Sequence, residues 1–205
     1  MSTHPAGAGK TGRHTWQILL SGFALIGFVF VAQDIITRYL STSTQARSRR
    51  LIYWVHAVWI VNLFLYLVIA WWIFYRWRDQ QPWNFYLFLF VLIAPTILYL
   101  ASLLLFPREA DIETIIDYKA HYYANHRAFF ILFALFIPVD IVDSLLKGVP
   151  HFLSLGPIYI LSGVLYFTGL LTAAVTRNER YHEFYAIFFL IQTTIVSFLI
   201  FQTLV

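Results

Sequence analysis

Residues 51–75 read LIYWVHAVWIVNLFLYLVIAWWIFY, a run that contains no Asp, Glu, Lys or Arg. About 20 consecutive apolar residues are enough for an α-helix to cross the ~30 Å hydrocarbon layer of a bilayer. A helix on the surface of a soluble protein would need a polar face toward water, and this run offers only His56 and Asn62. The stretch therefore predicts a transmembrane helix.

Five further runs have the same apolar character. They lie at 16–38, 83–106, 127–147, 152–175 and 182–204. The sequence thus predicts an all-α integral membrane bundle of six transmembrane helices, with residues 16–205 as a single domain. We expect the first run to be a retained helix rather than a cleaved signal peptide, because it is long and lacks a small-residue cleavage site. Residues 1–15 are small, polar and basic, which predicts a disordered tail.

The composition supports a membrane protein. The chain is 60% hydrophobic and 12% charged, with a mean hydropathy of +0.70. A soluble domain carries about 25% charged residues. The net charge of +4 comes from Lys and Arg side chains scattered at the ends of the runs, so we do not expect nucleic-acid binding. Because the chain has no cysteine, disulfides, thiolate metal sites and cysteine nucleophiles are excluded.

One connection is long, from residue 106 to about residue 126. Isoleucines and tyrosines recur in it at helical spacing, which predicts one amphipathic surface helix between spans 3 and 4. Asp117 and His121 are four residues apart on its polar face and are weak candidates for a metal site. A solvated polar face explains the pair as well.

The distribution of basic residues predicts the orientation, since cytoplasmic loops carry more Lys and Arg. With six spans, one side carries five of the 14 basic residues, namely Lys10, Arg13, Arg76, Arg78 and Lys147. The other side carries the remaining nine and should be cytoplasmic. Both termini are then expected on the non-cytoplasmic side.

Three polar residues fall near the middle of predicted spans: Asn62, Asp140 and Gln192. Ionisable and polar groups inside a membrane are costly, and they are functional candidates by default. One hypothesis is a shared hydrogen-bonded centre that forms an ion or proton path around Asp140. The alternative is structural, with each side chain bonding between helices at about 1 kcal/mol per bond.

A second polar layer is expected toward the cytoplasmic side. Its members are Asp34, His56, His126, His182 and Glu183. Histidines and carboxylates at one depth could bind a metal, ligate haem or exchange protons near neutral pH. No pair has the spacing of a zinc protease, however, and His126 and His182 could equally lie among lipid headgroups.

Four stretches are distinctive: the YWVH motif at 53–56, the Trp71-Trp72 pair, residues 121–127 and residues 139–143. Through them the chain resembles a group of short bacterial inner-membrane proteins that carry no assigned function. It implies a multi-pass protein of a bacterial inner membrane with six helices. It transfers no active site.

Two classes of function compete. The first is a non-catalytic subunit or scaffold of a membrane complex, and the second is a small proton or ion channel or transporter built as a homo-oligomer around Asp140. The motifs of zinc proteases and of serine hydrolases are absent, which argues against an enzyme. The expected partners are the lipid bilayer and either other membrane subunits or further copies of the chain. We expect bound lipid, and contact with haem or a pigment stays open.

Overall fold

The computed structural model describes residues 53–75, 84–106 and 117–201, together with Gln33 and Thr37. The three continuous stretches form eight helices. They are α1 (Trp54–Tyr75), α2 (Phe85–Val91), α3 (Ile93–Leu105), α4 (Tyr118–Ala134), α5 (Phe136–Leu146), α6 (Val149–Ser154), α7 (Gly156–Val175) and α8 (Glu179–Phe201).

Five segments in the described part of the chain are long and apolar enough to cross a membrane. They are Trp54–Ile73, Phe85–Leu105, Tyr118–Leu146, Gly156–Val175 and Glu179–Leu199. They correspond to the second to sixth predicted spans. The all-α character is therefore confirmed for the described part of the chain, and these five predicted spans are apolar helices of sufficient length. The first predicted span at 16–38 and the tail at 1–15 lie outside the described residues, apart from Gln33 and Thr37.

The fourth span begins earlier than the sequence predicted. Its helix α4 starts at Tyr118 instead of near residue 127, because the Asp117 carboxylate accepts hydrogen bonds from the backbone N–H groups of Lys119 and Ala120, at 2.8 and 3.1 Å. The prediction of a separate surface helix is therefore wrong for residues 118–126, which are the first turns of the span itself. The rest of that connection, residues 107–116, lies outside the described part.

Prolines explain where two spans are interrupted. A proline inside a helix lacks the N–H group and its ring clashes with the carbonyl four residues earlier. The span of α2 and α3 is interrupted at Leu92, three residues before Pro95, and the span of α4 and α5 at Leu135, three residues before Pro138. The chain turns tightly after α5 at Gly148, whose φ of 115° suits glycine.

The described spans form a closed ring. In order around the bundle, α1 packs on α3, α3 on α4, α4 on α7, α7 on α8, and α8 again on α1. One end of the ring holds the starts of α1, α4 and α8 with the ends of α3 and α7, and we call it the histidine end. The opposite end, where α5 ends and α7 begins, we call the cavity end.

An aromatic layer fills the ring between these ends. We define it as Trp59, Phe129, Phe130, Phe133, Tyr185 and Phe189. Trp59 is 0% exposed, and its ring centroid lies 4.9 to 6.1 Å from those of the other five. Aromatic pairs at such separations contribute about 0.5–1.5 kcal/mol each beyond burial. The layer joins α1, α4 and α8 at one depth.

A glycine permits the closest approach between α7 and α8. A Cβ atom built on Gly169 would overlap the ring of Tyr185, and the hydroxyl of Tyr181 donates to the Gly169 carbonyl at 2.8 Å. The crossing therefore requires a residue without a side chain. Small residues serve this purpose at many helix contacts in membranes.

We predict that Gly169→Ala lowers the free energy of unfolding by about 1–3 kcal/mol, the usual cost of overpacking. Gly163→Ala is the matched control, because it lies on the same helix with nothing within 4 Å of its added Cβ. Denaturant titration in mixed micelles measures both. Equal stability of the two variants would contradict the close crossing.

Candidate functional site

Histidine side chains at the histidine end bond to the ends of two helices. The last carbonyls of a helix have no partner within the helix. The Nε2 of His56 is 2.7 Å from the carbonyl of Leu105, and the Nε2 of His121 is 3.2 Å from that of Leu104, both in the last turn of α3. Because a carbonyl only accepts, each of these nitrogens carries the proton.

His182 bonds to the end of α7 in the same way, and both of its ring nitrogens make a hydrogen bond. Its Nε2 donates to the carbonyl of Thr176 at 3.0 Å, and its Nδ1 accepts from the hydroxyl of Tyr122 at 2.9 Å. His126 stands perpendicular to it, with ring centroids 5.7 Å apart, and its Nδ1 bonds to the Tyr123 carbonyl at 2.7 Å. The His182 ring thus has no nitrogen left for a metal or haem iron.

The predicted polar layer is therefore mostly inside the bundle. His56, His126 and His182 are 4%, 6% and 1% exposed, so their side chains face the interior of the bundle, and their depth relative to the headgroups stays a prediction. Glu183 is half-buried beside them, whereas Asp34 lies outside the described residues. Within the described ranges, no three His, Asp or Glu side chains are grouped to hold a metal ion. The weak metal candidates Asp117 and His121 instead bond to helix ends, as described above.

The three predicted midplane residues bond to different partners. The side-chain amide of Asn62 donates to the carbonyl of Ala186 at 3.3 Å, and that of Gln192 donates to the carbonyl of Ser162 at 3.5 Å. Asp140 accepts from Tyr159 at 2.7 Å. None of these bonds joins the three residues to one another, and each ties a different pair of helices. The arrangement favours the structural alternative for Asn62 and Gln192.

Asp140 borders a cavity of about 490 Å³ at the cavity end. All five spans contribute to its lining, which is mainly aliphatic and aromatic. Tyr66 and Tyr166 lie at its inner end, where their rings pack on Phe189 of the aromatic layer at 5.6 and 5.0 Å. The cavity therefore ends at the aromatic layer and does not continue toward the histidine end.

Polar groups border the outer part of the cavity. The Tyr159 hydroxyl, which donates to Asp140, lies 3.4 Å from the hydroxyl of Ser144. Asp143 and Lys147, four residues apart, form an ion pair, and both side chains are at most 10% exposed. A charged pair shielded from solvent is costly unless it is well matched, and this one lines the cavity.

Tyr159 was missed by the sequence reasoning, although a signal existed. The chain reverses direction between α5 and α7, so residues at similar distances before and after the turn should meet. Asp140, eight residues before Gly148, and Tyr159, eleven residues after it, form such a pair. Tyrosine in an apolar run is usually interpreted as an anchor at the membrane surface. The hydrogen bond from Tyr159 to Asp140 was therefore not predicted.

We predict that His182→Ala lowers the free energy of unfolding by about 1–3 kcal/mol, because the Thr176 carbonyl and the Tyr122 hydroxyl then lose their partner. Arg180→Ala is the control, because Arg180 is exposed and lies close to His182 on the same helix. It should change the free energy of unfolding by less than about 0.5 kcal/mol. Chemical unfolding in mixed micelles compares the two variants. A loss no larger than that of the control would contradict the capping role.

No protein-family model, curated protein or solved structure matches the chain. Its function is therefore inferred from its own contacts. The resemblance to short bacterial inner-membrane proteins stays a prediction.

Proposed function

We propose that this chain is a non-catalytic membrane protein, a subunit or scaffold of a membrane complex, that holds a lipid-like molecule in its cavity. We place it in a bacterial inner membrane with both termini on the non-cytoplasmic side. The observation that carries the proposal is a largely apolar cavity that is closed at its inner end.

The size and walls of the cavity suit a lipid-like ligand. Binding pockets for small molecules commonly measure ~300–1,000 Å³ and are mostly apolar, with a few polar groups. Among its lining residues, Ile141 of α5 and Ile160 and Val164 of α7 are 38%, 55% and 54% exposed. We propose that the cavity opens sideways between α5 and α7, where a molecule could enter from the hydrocarbon.

The use of the polar side chains supports a non-catalytic role. His56, His121 and His182 donate to carbonyls at the ends of helices, and Asp117 caps α4. A general acid or base must reach a substrate atom, and these groups already bond to backbone atoms. If the chain is a subunit, a stoichiometric partner should co-purify with it when the native membrane is solubilised in mild detergent.

A proton or ion path through a homo-oligomer is the second candidate. It is favoured by Asp140, an ionisable residue within a span that lines the cavity and accepts a hydrogen bond from Tyr159. The nearby Lys147 pairs with Asp143 instead. The aromatic layer disfavours this path within one copy of the chain, since it closes the inner end of the cavity.

We predict that Gly163→Phe removes most of the lipid that co-purifies with the protein. Gly163 lines the cavity, and nothing lies within 4 Å of its added Cβ, so a phenyl ring would take up the space of the ligand. Native mass spectrometry of the protein in mild detergent measures the bound lipid.

Leu161→Phe is the matched control for this experiment. Leu161 is 62% exposed on the outer face of the same helix, so a ring there should leave the bound lipid unchanged. A wild-type protein without bound lipid, or equal lipid in both variants, would contradict the proposed function.

A further inference from the structure

The inner end of the cavity carries two hydroxyl groups without a hydrogen bond. The hydroxyls of Tyr66, Tyr166 and Thr193 lie close together there. Tyr166 and Thr193 are 7% and 3% exposed. The Thr193 hydroxyl contacts those of Tyr66 and Tyr166, but neither Tyr166 nor Thr193 reaches the distance and angle of a hydrogen bond with a described residue. A buried polar group left unpaired costs about 1–3 kcal/mol, so these two hydroxyls point to a missing partner.

The position of these hydroxyls restricts that partner to an uncharged group. Tyr166 is the eleventh of the 20 residues of α7, about 15 Å from the start of the helix at 1.5 Å per residue. The charged lining residues of the described part lie on α5 and directly after it: Asp140 is the fifth of its eleven residues, and Asp143 and Lys147 follow toward the cavity end. An unpaired charge at mid-membrane depth would be costly, whereas a neutral oxygen is not.

The surroundings favour a flat, carbonyl-bearing head. Tyr66 and Phe136 lie with their ring centroids 5.3 Å apart, and both line the cavity together with Tyr166. Aromatic walls pack well on a planar ring, and two hydroxyl donors can bond to one carbonyl oxygen, which has two lone pairs. The ester carbonyls of a glycerolipid lie near the membrane surface, far from these hydroxyls.

We propose that the cavity binds a neutral amphiphile of the prenylquinone class, whose ring carbonyl accepts hydrogen bonds from Tyr166 and Thr193. Its apolar tail leaves the bundle sideways between α5 and α7. This inference rests on the proposed function and specifies the ligand that the cavity takes.

The test compares three ligands on the full chain in detergent by titration calorimetry. Decylubiquinone carries ring carbonyls, decylbenzene has a comparable ring and tail without carbonyls, and dioleoylglycerol offers ester carbonyls. We expect decylubiquinone to bind about tenfold more tightly than decylbenzene, as one or two net hydrogen bonds would give. The Tyr166→Phe/Thr193→Val double variant should bind decylubiquinone about tenfold more weakly and decylbenzene unchanged.

Tyr99→Phe/Thr172→Val is the control variant, since both of its hydroxyls are on exposed residues outside the cavity lining. It should bind like the wild type. The unchanged affinity of the double variant for decylbenzene shows that it is folded, and the two single variants replace it if it is not.

Each other outcome has a definite meaning. Equal affinity of the wild type for decylubiquinone and decylbenzene, or undiminished decylubiquinone binding in the double variant, would overturn the inference while leaving a lipid-binding cavity. Tighter binding of dioleoylglycerol, lost in the double variant, would replace the ring head by an ester. Failure of all three ligands to bind would instead contradict the proposed function.

Discussion

Aromatic rings packed around Trp59 hold helices α1, α4 and α8 together in the middle of the bundle. Apolar helices gain little from excluding lipid, which is as apolar as they are, so close packing and interhelical hydrogen bonds must hold them together. Trp59 brings rings from α1, α4 and α8 into one layer, and Tyr66 and Tyr166 extend it toward α7. Gly169 lets α8 approach α7 closely enough to complete that contact.

This layer separates the two ends of the bundle, and the polar groups at the two ends have different roles. At the histidine end, imidazoles donate to carbonyls at the ends of α3 and α7. Each bond pairs a buried imidazole N–H with a helix-end carbonyl, and both groups would be costly to bury unpaired. At the cavity end, Asp140 and Tyr159 pair across α5 and α7, and the ring encloses space. The Tyr166 hydroxyl at the base of that space is left without a bond among the described residues. The first end is explained by stability alone, whereas the second has room for a ligand.

The sequence was sufficient for the spans but not for the contacts between them. Long apolar runs are enough to predict the five described spans, because hydropathy depends only on local composition. The start of α4 at Tyr118 was missed, since polar residues such as His121 and His126 suggested a surface location. They enter the bundle because α3 and neighbouring backbone offer them acceptors, which composition does not reveal. Thr193 was overlooked for a related reason, as a threonine in an apolar run usually bonds to its own helix.

If the aromatic layer closes the cavity, the chain binds a ligand and does not conduct protons. Proton flux into liposomes that contain the full chain, driven by a pH gradient, distinguishes binding from conduction. We expect wild type and Asp140→Asn both to give the flux of protein-free liposomes. A wild-type flux well above that level, lost in Asp140→Asn, would show that the layer is not closed and would favour a path through Asp140.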